Sequence, residues 1–345
     1  RAGAAPHARR LLSSPDFPLH CARKGKIPLL SLEALHELHI FIFVLAVVHV
    51  VFCAITMVLG GAKIRKWKHW ENKIKDALKS DPAATHADQH HAFFTRRASG
   101  WWRGTKVFSW TVSFFRQFRG FSMCDYVALR HGYIAKHCPG NKSFDFYGYM
   151  VRTLEEDFRK IVGISWYLWV FVVIFMLLNV GGWHTYFWLS FLPLILLAVV
   201  GTKLEHIITE LAEEAQNGWQ GTAVEPSDRH FWFGRPDIML YLIHFILFQN
   251  SFEIAFFFWI LCTYGMDSCI MEKLGYIIPR LIMGVMVEVL CSYFTLPLYA
   301  IVSQMGSRLK PTVFNPVTME LVEDWAHNPP PIPNTSPQDR PATAR

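Results

Sequence analysis

The chain has 345 residues, of which 52% are hydrophobic and 18% are charged, and its formal net charge is +7. Soluble domains average roughly 25% charged residues, so this composition argues against an ordinary soluble enzyme. The apolar residues also fall into blocks along the chain, which is typical of an α-helical membrane protein.

The first apolar block follows an N-terminal segment, residues 1–37, that lacks the compact apolar core of a signal peptide. His39–Leu59 is 21 residues long and contains no Lys, Arg, Asp or Glu. A helix needs roughly 20 apolar residues to cross a bilayer core. Lipid offers no partner for backbone polar groups, so a helix that satisfies them internally is required. The block therefore predicts a membrane span over residues 38–60.

Residues 61–160 form a long basic connection that holds 19 of the 34 Lys and Arg residues of the chain. Positive charge near the ends of spans marks the cytoplasmic side of a membrane. We therefore expect a large cytoplasmic loop whose charge suits the anionic lipids of the inner leaflet. Nucleic acid is not an expected partner, because no recognition fold is visible.

The beginning of this loop has apolar residues at approximate helical spacing, with lysines between them: Ile64, Trp67, Trp70, Ile74 and Leu78. This pattern predicts a basic amphipathic helix. Two placements remain open for it, since such a helix either lies on the membrane surface or packs against the rest of the loop.

Further along the loop, His86, His90 and His91 match the HxxxHH box of di-iron membrane desaturases and hydroxylases. Imidazoles at this spacing on a helix can ligate iron. A di-iron site needs several such boxes, however, and the sequence offers no second one. We therefore expect a polar histidine-rich loop without a metal, and a di-iron lipid oxidase is a remote alternative.

The second apolar block, Ile161–Thr202, runs for 42 residues without a charged side chain and is interrupted by Gly181 and Gly182. Its length predicts two crossings joined by a turn, that is, a helical hairpin over residues 161–202. A second cytoplasmic loop, residues 203–237, follows. It begins with an apolar stripe that predicts a continuing helix, with Glu205 off the stripe: Leu204, Ile207, Ile208 and Leu211.

The last two apolar blocks predict spans over residues 238–265 and 281–303, joined by a short extracellular loop over residues 266–280. The sequence thus predicts an all-α polytopic membrane protein with five visible spans. Alternation from the basic loop places the N-terminal segment outside, and it places the tail, residues 304–345, in the cytoplasm. The tail ends in a proline-rich stretch that we expect to be disordered.

Each of the last two spans contains one acid, Glu253 in the first and Glu288 in the second. Gln249 lies one helical turn before Glu253, so both share a face. Ionisable groups inside a membrane are costly and mark functional sites by default. Two interpretations are open: the carboxylates line a path for cations, or interhelical hydrogen bonds hold them as part of the bundle. Other polar residues of the spans are His49, His244, Asn250 and Ser292.

Seven cysteines are present without a CxxC pair. By the predicted topology Cys21 and Cys269 lie outside, in an oxidising compartment, which makes them candidates for disulfide bonds. Whether they pair with each other or with other cysteines is open. The chain contains no GxSxG, HExxH, P-loop or GxGxxG motif, so we expect no enzymatic activity and no cofactor.

Several long strings of this sequence occur together and in order in one known family. They are SLEALHELHIFIFVLA at 31–46, FFRQF at 114–118, DYVALRHGYI at 125–134, FDFYGYMVRTLEEDFRKIVGIS at 144–165, GTKLEHII at 201–208, VEPSDRHFWFGRPD at 224–237, LFQNSFE at 247–253 and CSYFTLPLYAIVSQMGS at 291–307. From about Cys21 to Trp325 the chain thereby resembles the plant MLO (mildew resistance locus O) family.

The resemblance implies a seven-span plasma-membrane protein with an outside N-terminus and a cytoplasmic tail. The five visible spans would then be the third to the seventh, and the first two would precede Arg1. It further implies modulation of plant defence and cell death as a powdery mildew susceptibility factor, calmodulin binding and a calcium-permeable channel. Extracellular cysteines are thought to pair in this family, and Cys21 and Cys269 are at two matching positions.

By the same resemblance, the calmodulin site would lie in the proximal tail. Its matching apolar anchors are Val322 and Trp325, with Phe314 further upstream. Calmodulin prefers basic amphipathic helices. This segment is acidic and is flanked by prolines, which end helices, so we expect a weakened motif.

A non-conducting membrane scaffold or receptor-like protein is the alternative to a calcium-linked regulator. In that case the basic loop would dock partners or membrane lipids. A homo-oligomer remains open in both cases.

Overall fold

The structure is a computed structural model that describes residues 32–80, 113–115, 117, 121–137, 144–178, 190–217, 227–265 and 274–306. These residues form helices and no strands. The α-helices are α1 (Leu32–Ser80), α2 (Met123–His137), α3 (Phe146–Val162), α4 (Trp166–Leu178), α5 (Leu192–Asn217), α6 (Asp237–Tyr264), α7 (Leu274–Leu290) and α8 (Leu296–Val302). A π-helix, Cys291–Thr295, joins α7 to α8, and three short 3₁₀ turns lie at Asp228–His230, Trp232–Gly234 and Ser303–Met305.

Four of the described helical segments are long and apolar enough to cross a membrane: Leu35–Ala77, Leu192–Ala212, Asp237–Thr263 and Ile277–Met305. They contain the first predicted span, the second half of the predicted hairpin and the last two predicted spans. The all-α polytopic membrane architecture is thereby confirmed. α4 supplies 13 apolar residues of the first half of the hairpin, and the turn at Gly181 lies outside the described residues.

Helix α1 is continuous through an apolar first half and a lysine-rich second half. Its 49 residues extend for about 73 Å at 1.5 Å per residue, more than twice the thickness of a bilayer core of about 30 Å. The first half presents Phe43, Val50 and Val58 outward, as expected for a surface against lipid. The second half carries the lysine-rich stripe beyond the apolar block without a break in the helix.

Aromatic packing holds the membrane half of α1 against α6 and α4. Phe41 meets Phe252 edge-to-face with ring centroids 5.8 Å apart, and Leu45 and Leu168 are fully buried beside them. Such aromatic pairs add about 0.5–1.5 kcal/mol beyond their area burial. This cluster fixes α1 lengthwise on α6, which is the most extensive helix pairing among the described elements.

A second core forms where the C-terminal half of α1 meets α2 and α3. Trp67 is fully buried and packs 5.9 Å from the ring of Tyr126. Ile64 and Ile74 are buried in the same cluster. The amphipathic stripe of α1 thus packs against the rest of the loop. Of the two placements considered for this helix, the structure shows packing against the rest of the loop. We call this cluster around Trp67 and Tyr126 the loop core.

The stripe of α5 also lies in this core, with Leu204, Ile207 and Ile208 fully buried, which matches the predicted continuation of the helix. Glu205, which the spacing placed off the stripe, is nevertheless 1% exposed. It is covered because α5 has neighbours on more than one side, whereas a single apolar stripe predicts only one buried face.

A buried ion pair ties α1 to α2. Arg130 Nε donates to both oxygens of Glu71, at 3.0 and 3.2 Å, and the Tyr126 hydroxyl donates to Glu71 Oε2 at 3.1 Å. Burial, followed by the neighbouring Glu71 charge, raises the pKa of Tyr126 well above its usual range. Tyr126 therefore stays a neutral hydrogen-bond donor to the carboxylate at physiological pH.

We expect Arg130→Ala to destabilise the loop core, because it leaves the buried Glu71 carboxylate with the neutral Tyr126 hydroxyl and, as its one cationic partner among the described residues, Lys75, whose Nζ lies 3.9 Å away and is half exposed. Removing one partner of a buried pair costs about 3–5 kcal/mol. The unfolding temperature in detergent, followed by tryptophan fluorescence, is the measurement. The matched control is Lys160→Ala, which breaks the more exposed pair with Glu156. The control should cost at most about 1 kcal/mol, and equal effects of the two substitutions would contradict the assignment.

Candidate functional site

Polar side chains inside the membrane segments concentrate where α6 faces α7. Arg280, Gly284 and Glu288 are spaced four residues apart on α7, so they form one line along the helix. Asn250 and Glu253 of α6 meet this line. Because the two helices are antiparallel, Asn250 lies near Gly284 and Glu288, and Glu253 lies near Arg280. We call this set the polar seam.

Glu288 is the centre of the polar seam and is 3% exposed. The Thr56 hydroxyl of α1 donates to Oε1 at 2.8 Å, and the Ser292 hydroxyl of the π-helix donates to the same oxygen at 3.2 Å. Asn250 Nδ2 donates to Oε2 at 3.2 Å. Donors from three separate helical segments thus converge on one carboxylate. Among the described residues no lysine, arginine or histidine forms an ion pair with it.

Gly284 allows α6 and α7 to approach closely at the seam. Asn250 Nδ2 donates to the Gly284 carbonyl at 3.0 Å. A Cβ atom at position 284 would lie 3.1 Å from Asn250 Oδ1 and 3.3 Å from the Ile254 side chain. Small residues at helix interfaces in membranes permit such backbone approach.

The second predicted acid, Glu253, has a different environment from Glu288. Gln249 Nε2 donates to its Oε1 at 3.1 Å, and Arg280 Nη2 lies 3.5 Å from its Oε2. The guanidinium compensates the carboxylate charge. The structure therefore brings Gln249, Glu253 and Glu288 to one interface. Of the two acids, Glu253 has a cationic partner and Glu288 has none among the described residues.

Two histidines inside the membrane segments, His49 of α1 and His244 of α6, also bond to other helices. His49 Nδ1 is 3.3 Å from the Ser251 hydroxyl of α6, and His49 Nε2 is 3.2 Å from the carbonyl of Val162 at the end of α3. His244, also on α6, pairs with the Tyr167 hydroxyl of α4 at 3.1 Å. Both intramembrane histidines thus have protein partners, and they connect α1, α3, α4 and α6.

The other predicted sites lie outside the described residues. These are the calmodulin anchors Phe314, Val322 and Trp325, the cysteines Cys21 and Cys269, and the histidine box His86, His90 and His91. The four described cysteines are free thiols: Cys53, Cys124, Cys262 and Cys291. Within the described ranges there is no group of three or more His, Cys, Asp or Glu side chains arranged to hold a metal ion.

The sequence singled out Glu253 and Glu288 but not their partners, which are Arg280 for Glu253 and Thr56 for Glu288. Threonine is common in apolar spans, so nothing in the sequence distinguishes Thr56 from its surroundings. Arg280 stands at the edge of its predicted span, where a cation is ordinary. In both cases the role comes from a partner on another helix.

Known proteins resemble this chain over most of its length. A sequence model described as the Mlo family matches residues 2–331. The chain is 60% identical to MLO-like protein 13 of Arabidopsis thaliana, covering 92% of this chain and 70% of that protein. It is 55% identical to MLO-like protein 1 of the same plant, covering 89% of this chain and 60% of the relative. It is 43% identical to MLO protein homolog 1 of Oryza sativa subsp. indica, covering 93% of this chain and 61% of the relative.

The chain therefore spans between 60% and 70% of the length of these three relatives. No solved structure matches it.

We expect Gly284→Val to lower the unfolding temperature, because the new side chain would push α7 away from Asn250 and Ile254. Overpacking of this kind costs about 1–3 kcal/mol. Gly61→Val is the matched control, since position 61 is also helical and has no atom within 4 Å of an added Cβ. Thermal unfolding of both variants in the same detergent tests the close approach. A Gly284→Val protein as stable as Gly61→Val would contradict it.

Proposed function

Because this chain belongs to the Mlo family, we propose that it regulates plant defence and cell death as a membrane protein of the powdery mildew susceptibility type. We propose further that it is linked to calcium and calmodulin and that Glu288 lies on a path for calcium ions. Family membership supports the defence role, and the geometry of the polar seam supports the calcium role.

The observation that carries the calcium proposal is the environment of Glu288. A carboxylate inside a membrane is costly and is kept where it pairs or serves an ion pathway. Calcium binds oxygen ligands, and oxygens of Thr56, Ser292 and Gly284 lie in the same hydrogen-bonded cluster. A hydrated cation passing this point would meet one uncompensated acid and several neutral oxygens, which resembles the acid rings of cation channels.

The topology proposed for this function follows the distribution of charge. Residues 61–160 and the tail would lie in the cytoplasm, with the N-terminal segment outside, in the plasma membrane. The excess of Lys and Arg in the long loop supports this orientation. The same excess supports attraction of the loop to anionic membrane lipids.

A non-conducting scaffold is the second candidate. Its support is that Thr56, Asn250 and Ser292 satisfy Glu288 without an ion. Interhelical hydrogen bonds of this kind hold membrane bundles together. The polar seam would then have a purely structural role, and the loops would carry the activity by docking partners.

Calcium flux into liposomes that contain the purified protein and a trapped calcium dye distinguishes the two candidates. We expect flux with the natural sequence and a loss of at least about tenfold for Glu288→Gln, because the amide has the size of the acid without its charge. The double substitution of Glu253 and Arg280 by Gln is the matched control on the same seam and should retain most of the flux, because it removes a compensated pair without leaving either charge alone.

Absence of flux from the natural sequence would favour the scaffold. Flux that is unchanged in Glu288→Gln would remove this residue from the path. Thermal unfolding of both variants is measured in parallel, so that a loss of flux through misfolding is recognised.

We expect calcium-dependent calmodulin binding through the proximal tail, with Trp325 as the principal anchor. Trp325→Ala should abolish retention of the protein on calmodulin resin in calcium buffer, because a large apolar anchor fills the groove of calmodulin. Phe233→Ala, at a residue that is 91% exposed in another segment, is the control and should bind normally. Binding that survives Trp325→Ala would place the site elsewhere.

A further inference from the structure

The Thr56 hydroxyl beside Glu288 has one hydrogen and two acceptors within reach. Its oxygen lies 2.8 Å from Glu288 Oε1 and 2.9 Å from the carbonyl oxygen of Phe52, one turn earlier on α1. A threonine hydroxyl donates one hydrogen bond and accepts through two lone pairs. Thr56 can therefore donate to Glu288, or it can donate to Phe52 and accept a hydrogen that Glu288 carries.

With Glu288 ionised, every side-chain hydrogen of this cluster has an acceptor. Thr56 and Ser292 both donate to Oε1, at 2.8 and 3.2 Å. Asn250 has two amide hydrogens, and its Nδ2 lies 3.2 Å from Oε2 and 3.0 Å from the Gly284 carbonyl. The ionised carboxylate is thus fully hydrogen-bonded.

With Glu288 protonated on Oε1, the same atoms form a second complete set of hydrogen bonds. The acid O–H donates to Thr56 Oγ1 across the same 2.8 Å, a usual length for an O–H···O bond. Thr56 turns its own hydrogen to the Phe52 carbonyl. Ser292 donates to Thr56 Oγ1 at 3.1 Å or to Oε1 at 3.2 Å. A proton can therefore be added to Glu288 or removed from it while the heavy atoms stay in place.

The titratable groups that interact with the charge of Glu288 do not stabilise its ionised form. They are two thiols, Cys53 of α1 and Cys291 of the π-helix, and thiols are mostly neutral at about pH 7. An isolated carboxylate charge in apolar surroundings is costly, and such a group takes up a proton instead. These surroundings therefore favour the neutral acid when no cation is bound.

Other ionisable groups on the neighbouring helices have partners of their own. Glu253 of α6 pairs with Arg280 of α7 at 3.5 Å. On α1, His49 bonds to α3 and α6, and Lys63 Nζ lies 5.1 Å from the centre of an aromatic ring of the π-helix. The described part of α5 contributes no hydrogen bond or ion pair to Glu288. Proton exchange at this point of the bundle is thus assigned to Glu288.

We propose that Glu288 exchanges a proton for calcium: it is a neutral acid without a bound cation, and it releases its proton when calcium binds. This exchange rests on the calcium path proposed above. The O–H bond of the acid breaks, its electron pair stays on the carboxylate, and water takes the proton. The carboxylate charge is thereby created when calcium is present to compensate it. Low pH keeps Glu288 neutral and opposes calcium, whereas high pH favours calcium.

Infrared absorption of the carboxyl group tests the neutral acid independently of calcium flux. In calcium-free liposomes near neutral pH, the natural sequence should show a band of protonated carboxylic acid that Glu288→Gln lacks. The Gln amide has the shape of the neutral acid, so this variant is expected to fold. The matched control, Glu253→Gln with Arg280→Gln, should keep the band, because Arg280 compensates the charge of Glu253. Equal carboxylic-acid bands in the natural sequence and Glu288→Gln would overturn the proposal.

The pH dependence of calcium flux tests the exchange itself. In liposomes with the same pH on both sides, flux should rise from about pH 6 to about pH 8, by up to about tenfold per pH unit where Glu288 is protonated. Flux that is equal at both pH values would overturn the exchange and leave the calcium path in place. Absence of flux at every pH would overturn the path and the exchange together, and the infrared band would still report whether Glu288 carries a proton.

Two substitutions of Thr56 connect the pH dependence to this cluster. Thr56→Val removes the hydroxyl at nearly constant volume, and the ionised acid loses more than the neutral acid, because hydrogen bonds to a charged group are roughly twice as strong. The pH of half-maximal flux should therefore rise by roughly half a unit to one unit. Thr56→Ser retains the hydroxyl and should leave this pH unchanged.

Equal pH midpoints for Thr56→Val and Thr56→Ser would overturn the proposal. Where Thr56→Val fails to fold, as thermal unfolding would show, the infrared comparison of the natural sequence with Glu288→Gln decides the question.

Discussion

The Glu288 carboxylate must find its hydrogen bonds inside a membrane, and the arrangement of the helices follows from that requirement. Lipid supplies no donors, and a buried polar group left without partners costs several kcal/mol. Thr56, Asn250 and Ser292 supply the donors from α1, α6 and the π-helix. A rotation of any of these segments by one residue would carry its donor about 100° away. Apolar packing alone tolerates such rotations better, because one apolar side chain can replace another in a contact without leaving a hydrogen bond unmade.

Helix α1 connects this centre to the part of the protein beyond the apolar segments. Thr56 bonds Glu288, and Glu71 of the same helix bonds Arg130 of α2. The fifteen residue steps from Thr56 to Glu71 correspond to about 22 Å of continuous helix. A displacement of the loop core along or around α1 would therefore be transmitted to Thr56. Helix α1 thus couples the position of the loop core to that of the membrane bundle.

Much of the fold could be predicted from the sequence, because the length of an apolar run reports directly on a bilayer crossing. The candidate acids could be predicted for the same reason, since Glu253 and Glu288 interrupt otherwise apolar runs. Their different surroundings could not be, because Arg280 and Thr56 become partners only through contacts between helices. The stripe from Ile64 to Ile74 shows the same limit: its periodicity gives an apolar face and does not say whether lipid or protein covers it.

The π-helix at Cys291–Thr295 has a consequence for how the chain can vary. Pro297 lacks the N–H that an α-helix would direct to the Tyr293 carbonyl, and the wider turn closes instead from Leu296 N to Cys291 O. The extra residue in this turn changes the direction in which the side chains of the following helix, α8, point around its axis. That direction brings Gln304 to the Tyr149 hydroxyl and Met305 O to Ser227 N. Insertions and deletions are absorbed easily by loops, but the loss of a single residue here would turn α8 by about 100° and uncouple it from α3. The number of residues in this turn is thus as constrained as their identity.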